Sequence, residues 1–180
     1  MKCFLSALIL FSIHFIAFAQ SKAIIGMTKD EVKKIYPDIS ENKNILSRSE
    51  NIYGLGDESW DYSFEKEKLV SIAFEKYMGW DHDNSKINNG YFEKCLSVTK
   101  QLIKDYTIKY GRPDTTIIGN TKFINPYKKL HWGYDVIEAQ WKDYKGMKIK
   151  IKFDFYGSKG MYDLIVTINY LDKNYPSYNY

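Results

Sequence analysis

Residues 136–153 read VIEAQWKDYKGMKIKIKF, and they contain the clearest structural pattern in the chain. Its second half alternates strictly between lysine and apolar residues: Lys148, Ile149, Lys150, Ile151, Lys152 and Phe153. A period of two is typical of a strand with one face buried and the other in water. Because a turn sequence separates two such runs, the stretch predicts an antiparallel hairpin.

The turn between these strands sets their register. We predict a three-residue turn over residues 143–145 with Gly146 at the left-handed bulge position, which a glycine adopts easily. This turn places apolar residues of the two strands opposite each other. It predicts three cross-strand pairs: Trp141 with Met147, Ala139 with Ile149, and Glu138 with Lys150.

Further strands and two helices lie on either side of this hairpin. Residues 60–64 and 69–77 predict a second hairpin, and residues 161–171 predict another strand. Thr28 followed by Glu31 has the form of a capping box and predicts a short helix over residues 29–36.

A longer helix is predicted over residues 91–110, where apolar residues recur at three- and four-residue steps until Gly111 and Pro113 end the run. Residues 39–56 are polar and irregular, which predicts a loop with at most one short strand at Ile45–Leu46.

These elements predict an α+β fold with short helices packed on antiparallel sheet. Trp60-Asp61-Tyr62 and Trp132-Gly133-Tyr134 stand at corresponding places in the two halves. The similarity suggests two tandem helix-plus-sheet repeats, one over residues 20–90 and one over residues 91–180. A single irregular α+β domain is the alternative.

The N-terminus has the pattern of a secretory signal peptide over residues 1–19. Lys2 precedes an apolar run from Phe4 to Phe18, and Ala17 and Ala19 supply the small residues of a cleavage site. The run is shorter than the roughly 20 residues of a spanning helix, so we expect no transmembrane anchor after cleavage and a secreted or periplasmic location. Removal of Cys3 would leave Cys95 alone, and the absence of an intramolecular disulfide favours a bacterial envelope protein.

Two known families share features with this sequence. Residues 25–35, IGMTKDEVKKI, resemble the opening helix of the small SmpA/BamE-type outer-membrane assembly lipoproteins, although the chain has no lipobox cysteine. The tandem plan also resembles the β-lactamase-inhibitor-protein-like fold, in which two helix-plus-sheet repeats form a concave face that binds another protein. Both resemblances imply helices on antiparallel sheet, and the second implies a protein partner.

Composition and motifs argue against several functions. The 26 Lys and Arg residues against 22 Asp and Glu give a net charge of +4 without a block of like charges, so no nucleic-acid partner is expected. The sequence has no Walker A, G-x-S-x-G or H-E-x-x-H motif, and we predict no cofactor, metal or catalytic residue. His82 and His131 stand far apart, and Cys95 has the surroundings of a packed core thiol.

Residues 81–92 partly match a calcium loop. Asp81, Asp83 and Ser85 occupy its first, third and fifth positions, but Lys86 replaces the glycine and Phe92 replaces the bidentate glutamate. A solvated turn is therefore the preferred interpretation.

Large aromatic and basic residues are the candidate binding groups, since aromatic residues dominate many interfaces and alternating lysines form a charged face. The candidates are Trp60, Tyr62, Trp132, Tyr134, Lys148, Lys150 and Lys152. Packing of the aromatics in the core, and a solvated lysine face, remain open. The sequence predicts a non-catalytic protein-binding module, with an envelope-assembly accessory, a periplasmic immunity protein and a small secreted hydrolase as alternatives.

Overall fold

The computed structural model describes residues 21–78, 85–122, 132–158 and 161–175. The predicted signal peptide, His82 and His131 lie outside these residues, as does most of the acidic half of the calcium-like loop. The elements follow in chain order: α1 (Lys29–Ile35), β1 (Ser40–Asn42), β2 (Ile45–Asn51), β3 (Asp57–Glu65), β4 (Lys68–Met78), α2 (Ser85–Tyr110), β5 (Thr115–Ile118), β6 (Trp132–Tyr144), β7 (Met147–Ser158) and β8 (Met161–Asp172).

All eight strands form one antiparallel sheet in the order β1-β2-β3-β4-β8-β7-β6-β5. The prediction of an α+β fold with helices on antiparallel sheet is therefore confirmed. Each half of the chain places a helix before four strands, and the two sets of strands meet where β4 pairs with β8. The interpretation of the halves as tandem repeats stays a prediction.

The helices begin and end where their terminal residues indicate. In α1 the Thr28 hydroxyl accepts from the Glu31 N–H, and the Glu31 carboxylate accepts from the Thr28 N–H, which completes the predicted capping box. The helix α2 begins at Ser85, earlier than predicted, and ends before Gly111, whose φ of 82° is a left-handed C-terminal conformation.

Both helices pack on the same face of the sheet, and the core lies between. The ring of Phe92 in α2 lies 5.2 Å from that of Phe153 in β7, and the ring of Tyr36, directly after α1, lies 5.6 Å from that of Tyr62 in β3. We call this the helix-bearing face and the opposite one the open face. In the part of the chain described, neither helix is long and apolar enough to cross a membrane.

The predicted loop over residues 39–56 is wrong, because β1 and β2 occupy much of it. Leu46 is fully buried opposite Tyr62, and β2 pairs with β3 along its whole length. The strand carries one apolar anchor among polar residues, so its pairing comes from the ladder with β3 and not from a local pattern that propensity could show.

The predicted register of the β6–β7 hairpin is also wrong. The turn has two residues, Lys145 and Gly146, with φ of 51° and 86°. A bulge between Trp141 and Tyr144 precedes the turn. Two positive φ values match the twist of the flanking strands. The pairs are consequently Trp141 with Ile149, Ala139 with Ile151, and Glu138 with Lys152. The shift is two residues, so the predicted faces of these side chains are unchanged.

Candidate binding face

The open face is a surface whose residues can be followed strand by strand through the register. One row runs across six strands in directly paired positions: Ser47, Asp61, Ala73, Asn169, Lys150 and Gln140. No helix of the described chain covers this row, because both helices pack against the other face.

A trough of about 570 Å³ lies on this face, mainly over β3, β4 and β8. Its floor consists of small side chains: Ser59, Ser63, Ser71 and Ala73. Larger side chains line its edges: Ile45, Tyr77, Leu171 and Tyr175. Small residues in the middle and large residues around them make the surface concave at this point.

Asp61 is the central acidic group of the trough. Its Oδ1 accepts hydrogen bonds from the hydroxyls of Ser47, at 2.6 Å, and Ser59, at 2.7 Å. These bonds hold the carboxylate on the strand surface and orient both hydroxyls toward it. Hydroxyl–carboxylate bonds of this length are among the stronger hydrogen bonds in proteins.

Glu75 and Tyr77 form a second polar pair in the trough. The Tyr77 hydroxyl donates to the Glu75 carboxylate at 3.1 Å, and the Tyr77 ring is 52% exposed. Partial burial and the adjacent carboxylate raise the pKa of Tyr77 above its ordinary value, so its hydroxyl remains a donor at neutral pH. An exposed tyrosine held by a carboxylate offers both an apolar ring and a fixed polar group.

The predicted basic residues of β7 lie on the open face but differ in their surroundings. Lys148 and Lys150 are partly exposed, and they pair with Leu171 and Asn169 at the β8 side of the trough. Lys152 forms an ion pair with Asp154 at 2.9 Å, with only 15% and 9% of the two side chains exposed, and it lies opposite Glu138. Lys152 is thus engaged within the protein, and its role in binding stays a prediction.

Two predicted aromatic binding residues belong to the core. Trp60 and Tyr62 are fully buried on the helix-bearing face, where the Trp60 ring lies 5.3 Å from that of Phe74 and 6.3 Å from that of Tyr170. The alternation that exposes Asp61 necessarily turns its neighbours inward, so the prediction that they bind a partner is corrected. Trp132 and Tyr134 lie in β6, and their side chains are outside the described residues.

The core thiol has no reactive surroundings. Burial raises the pKa of Cys95 to about 12, which leaves the thiolate essentially unpopulated at neutral pH. Among the described residues, no group of three or more His, Cys, Asp or Glu side chains could hold a metal ion.

The acidic and hydroxyl groups of the trough were not singled out from the sequence, although a signal for them exists. In the β3 sequence DESWDYSFE, Ser59, Asp61 and Ser63 alternate with the buried aromatics. Aromatic residues are the more obvious candidates for binding, whereas the small residues between them form the accessible surface.

Comparison with known proteins gave no relative: no family model, no curated protein and no solved structure matches this chain.

Proposed function

We propose that the protein is a secreted or periplasmic binding module, without catalytic activity, that takes another protein on the trough of its open face. The observation that carries the proposal is a concave sheet surface, covered by neither helix of the described residues, with both acidic and basic groups at its sides. Antiparallel sheets often leave one face in water, so exposure alone would not mark a site. The trough adds shape and arranged polar groups to that exposure.

The charges of the open face would select and orient a partner. Asp61 and Glu75 lie on β3 and β4, whereas Lys148 and Lys150 lie on β7, beyond the uncharged Asn169 and Leu171 of β8. With strands about 4.8 Å apart, the two groups are separated by about 10 to 14 Å. A partner that presents a basic group to the first and an acidic group to the second would bind in one orientation, since complementary charge fixes register more than it adds affinity.

The edges of the trough supply the apolar contacts that an interface needs. Tyr77 and Tyr175 provide rings, and Ile45, which is 42% exposed, provides an aliphatic side chain. Interfaces concentrate their binding energy in a few such residues, with polar groups around them. A protruding loop or strand of a partner fits this arrangement better than a deeply enclosed small molecule does, because the trough is wide and shallow.

Co-purification with a matched pair of variants tests this function. Ser71→Arg fills the trough floor, and Ser97→Arg makes the same change at an exposed position of α2. We expect a protein recovered with the wild type and with Ser97→Arg, and lost with Ser71→Arg. Recovery of the same proteins with all three would exclude the trough as the binding surface.

One observation favours a hydrolase as the second candidate. Asp61 pairs with Ala73, so Glu75 is its diagonal neighbour, and diagonal residues of paired strands are about 7 to 8 Å apart. Side-chain carboxyl groups on two such residues can reach the separation of about 6.5 to 9.5 Å found in inverting glycosidases. The binding function ranks first because Asp61 and Glu75 are held on the strand surface by hydroxyl groups of the protein itself, whereas glycosidase carboxylates flank a bound sugar. Hydrolysis of a glycoside by the wild type that is lost in both Asp61→Asn and Glu75→Gln would reverse this order.

A further inference from the structure

A second and larger cavity, of about 1040 Å³, lies on the helix-bearing face. It is formed where the C-terminal ends of both helices approach the β6–β7 hairpin, and we call it the tyrosine cleft. Its main lining residues are Tyr36, Arg48, Tyr110, Tyr144, Lys145 and Tyr170. None of the residues that line the trough takes part in it.

The walls of the tyrosine cleft are aromatic and aliphatic. The rings of Tyr110 and Tyr144 meet edge to face at 4.8 Å, and the buried Tyr170 forms the floor, with its hydroxyl bonded to that of Tyr106 at 2.5 Å. Ile24, which is 55% exposed, adds an aliphatic surface on the opposite side. Such walls favour a ligand with an apolar body.

The charge of the lining is positive. Five cationic side chains line the cleft: Lys22, Arg48, Lys109, Lys145 and Lys173. The lining carboxylates of the described chain, Glu50 and Asp172, are both engaged, the first by Arg48 and the second by the N–H of Asn174 at 2.8 Å.

Groups around the cleft reduce this positive charge without cancelling it. Asp143, outside the cleft, forms an ion pair with Lys173 at 3.1 Å, so the excess of cationic over anionic side chains falls from three to two. The C-terminal ends of α1 at Tyr36 and of α2 at Tyr110 each contribute up to about half a negative charge. Among the described residues, about one positive charge therefore remains.

Tyr36 is a further lining residue, and it contacts Lys22 and Arg48. Burial acts to raise its pKa, but its hydroxyl lies 3.4 Å from that of Ser21 and accepts from the Lys22 N–H at 2.5 Å, and the Arg48 guanidinium lies 4.3 Å from the ring centre. These contacts favour the phenolate, and the pKa of Tyr36 is lowered below its ordinary value. This wall of the cleft stabilises negative charge.

We propose that the tyrosine cleft binds an amphipathic organic anion, with its apolar body against Tyr110 and Tyr144 and its anionic head toward the lysines. Neither half of such a ligand would suffice. A compact inorganic anion would leave the aromatic walls in water, and a neutral apolar molecule would desolvate the lysines without compensation. The inference is independent of the proposed function, because the two cavities lie on opposite faces.

Calorimetric titration with decanoate tests the proposal. We expect saturable binding at one site, and about tenfold weaker binding of decyltrimethylammonium, which has the same chain and the opposite charge. Acetate, which has the head without the chain, should show no saturable binding. The affinity for decanoate should fall as salt is added, because the head group is only partly shielded.

A matched pair of variants on α2 locates the site. Lys109→Glu changes a lining residue, and Lys104→Glu makes the same change at an exposed position of the same helix outside the cleft. We expect Lys109→Glu to weaken decanoate binding by about five- to tenfold and Lys104→Glu by less than about twofold. Lys22→Glu is a second test on a different segment, should Lys109→Glu disturb α2.

Ser71→Arg lies in the trough and should leave decanoate binding unchanged. A failure of the cleft to bind decanoate can therefore be distinguished from a failure of the trough to bind a protein. Three outcomes would overturn the inference: no saturable decanoate binding, equal affinity for the two chain-matched ligands, or equal losses in Lys109→Glu and Lys104→Glu.

Discussion

Thr28 shows at the residue scale how one side chain can define the start of a helix. Its hydroxyl and the Glu31 carboxylate satisfy each other's backbone N–H groups, and α1 begins at the following residue. Because α1 has only 7 residues, it contributes few internal hydrogen bonds and depends on this cap and on buried Val32.

Thr28→Ala should lower the free energy of unfolding by about 1 kcal/mol, since it leaves the Glu31 N–H without its partner. Thr28→Ser keeps the hydroxyl and should restore most of the loss. Urea unfolding followed by circular dichroism measures both. Equal stability of the alanine and serine variants would show that the hydroxyl does not stabilise α1.

Glu41 makes stability depend on pH. Hydrogen bonds from Lys33 at 2.6 Å and Lys29 at 2.9 Å lower the pKa of Glu41 from 4.5 to about 2. A carboxyl with a lowered pKa stabilises the fold above its unfolded pKa, and this contribution is lost as the pH falls through the folded pKa.

Glu41→Gln should therefore be less stable than the wild type above pH 4.5, and this difference should shrink and then disappear as the pH falls through about 2. Thermal unfolding across this range measures the difference, and Glu93→Gln, at an exposed position of α2, is the control. A Glu41→Gln deficit that is constant across the range would contradict the assigned ion pairs.

At the scale of elements, the helices and strands that form as predicted are those whose pattern lies within their own sequence. The capping box, the apolar stripe of α2 and the alternation in β3, β4 and β7 are local patterns, and all of them form as predicted. The strand β2 depends on its pairing with β3, and the β6–β7 register depends on the bulge between Trp141 and Tyr144. No pattern within ILSRSEN indicates the ladder with β3, and no pattern within KDYKG indicates the bulge.

The candidate binding face could likewise be predicted only as far as local patterns reach. The sequence places Lys148 and Lys150 correctly on an alternating strand, but which face the helices cover is a tertiary property. That property decides that Trp60 is core and Asp61 is surface.

The β6–β7 turn can be tested with a pair of glycine substitutions. A Cβ at either Gly90 or Gly146 would meet no atom within 4 Å, so the two sites differ in backbone conformation and not in space. Gly146 has a φ of 86°, whereas Gly90 lies inside α2.

Gly146→Ala should destabilise the protein by about 1 to 2 kcal/mol, because an L side chain is strained in the left-handed region. Gly90→Ala should stabilise it by up to about 1 kcal/mol through helix propensity. Denaturant midpoints measure both, and changes of the same sign would contradict the turn described here.

At the scale of the whole molecule, one continuous sheet separates two surfaces of different chemistry. The helix-bearing face holds the core and the tyrosine cleft, whereas the open face holds the trough and its two charged groups. The sheet is built from both halves of the chain, and β8, which pairs with β4, supplies Asn169 and Leu171 to the trough. The proposed binding surface therefore requires both halves of the chain.

Site-specific photo-cross-linking tests the binding function most directly. A photo-reactive phenylalanine analogue at Ala73, in the trough floor, is compared with the same residue at Ser97, exposed on α2. On irradiation in the native cell envelope, we expect a defined protein adduct from position 73, absent from position 97 and lost when Ser71→Arg is added. No protein adduct at position 73, or the same adducts from both positions, would contradict the assignment of the open face as a protein-binding surface.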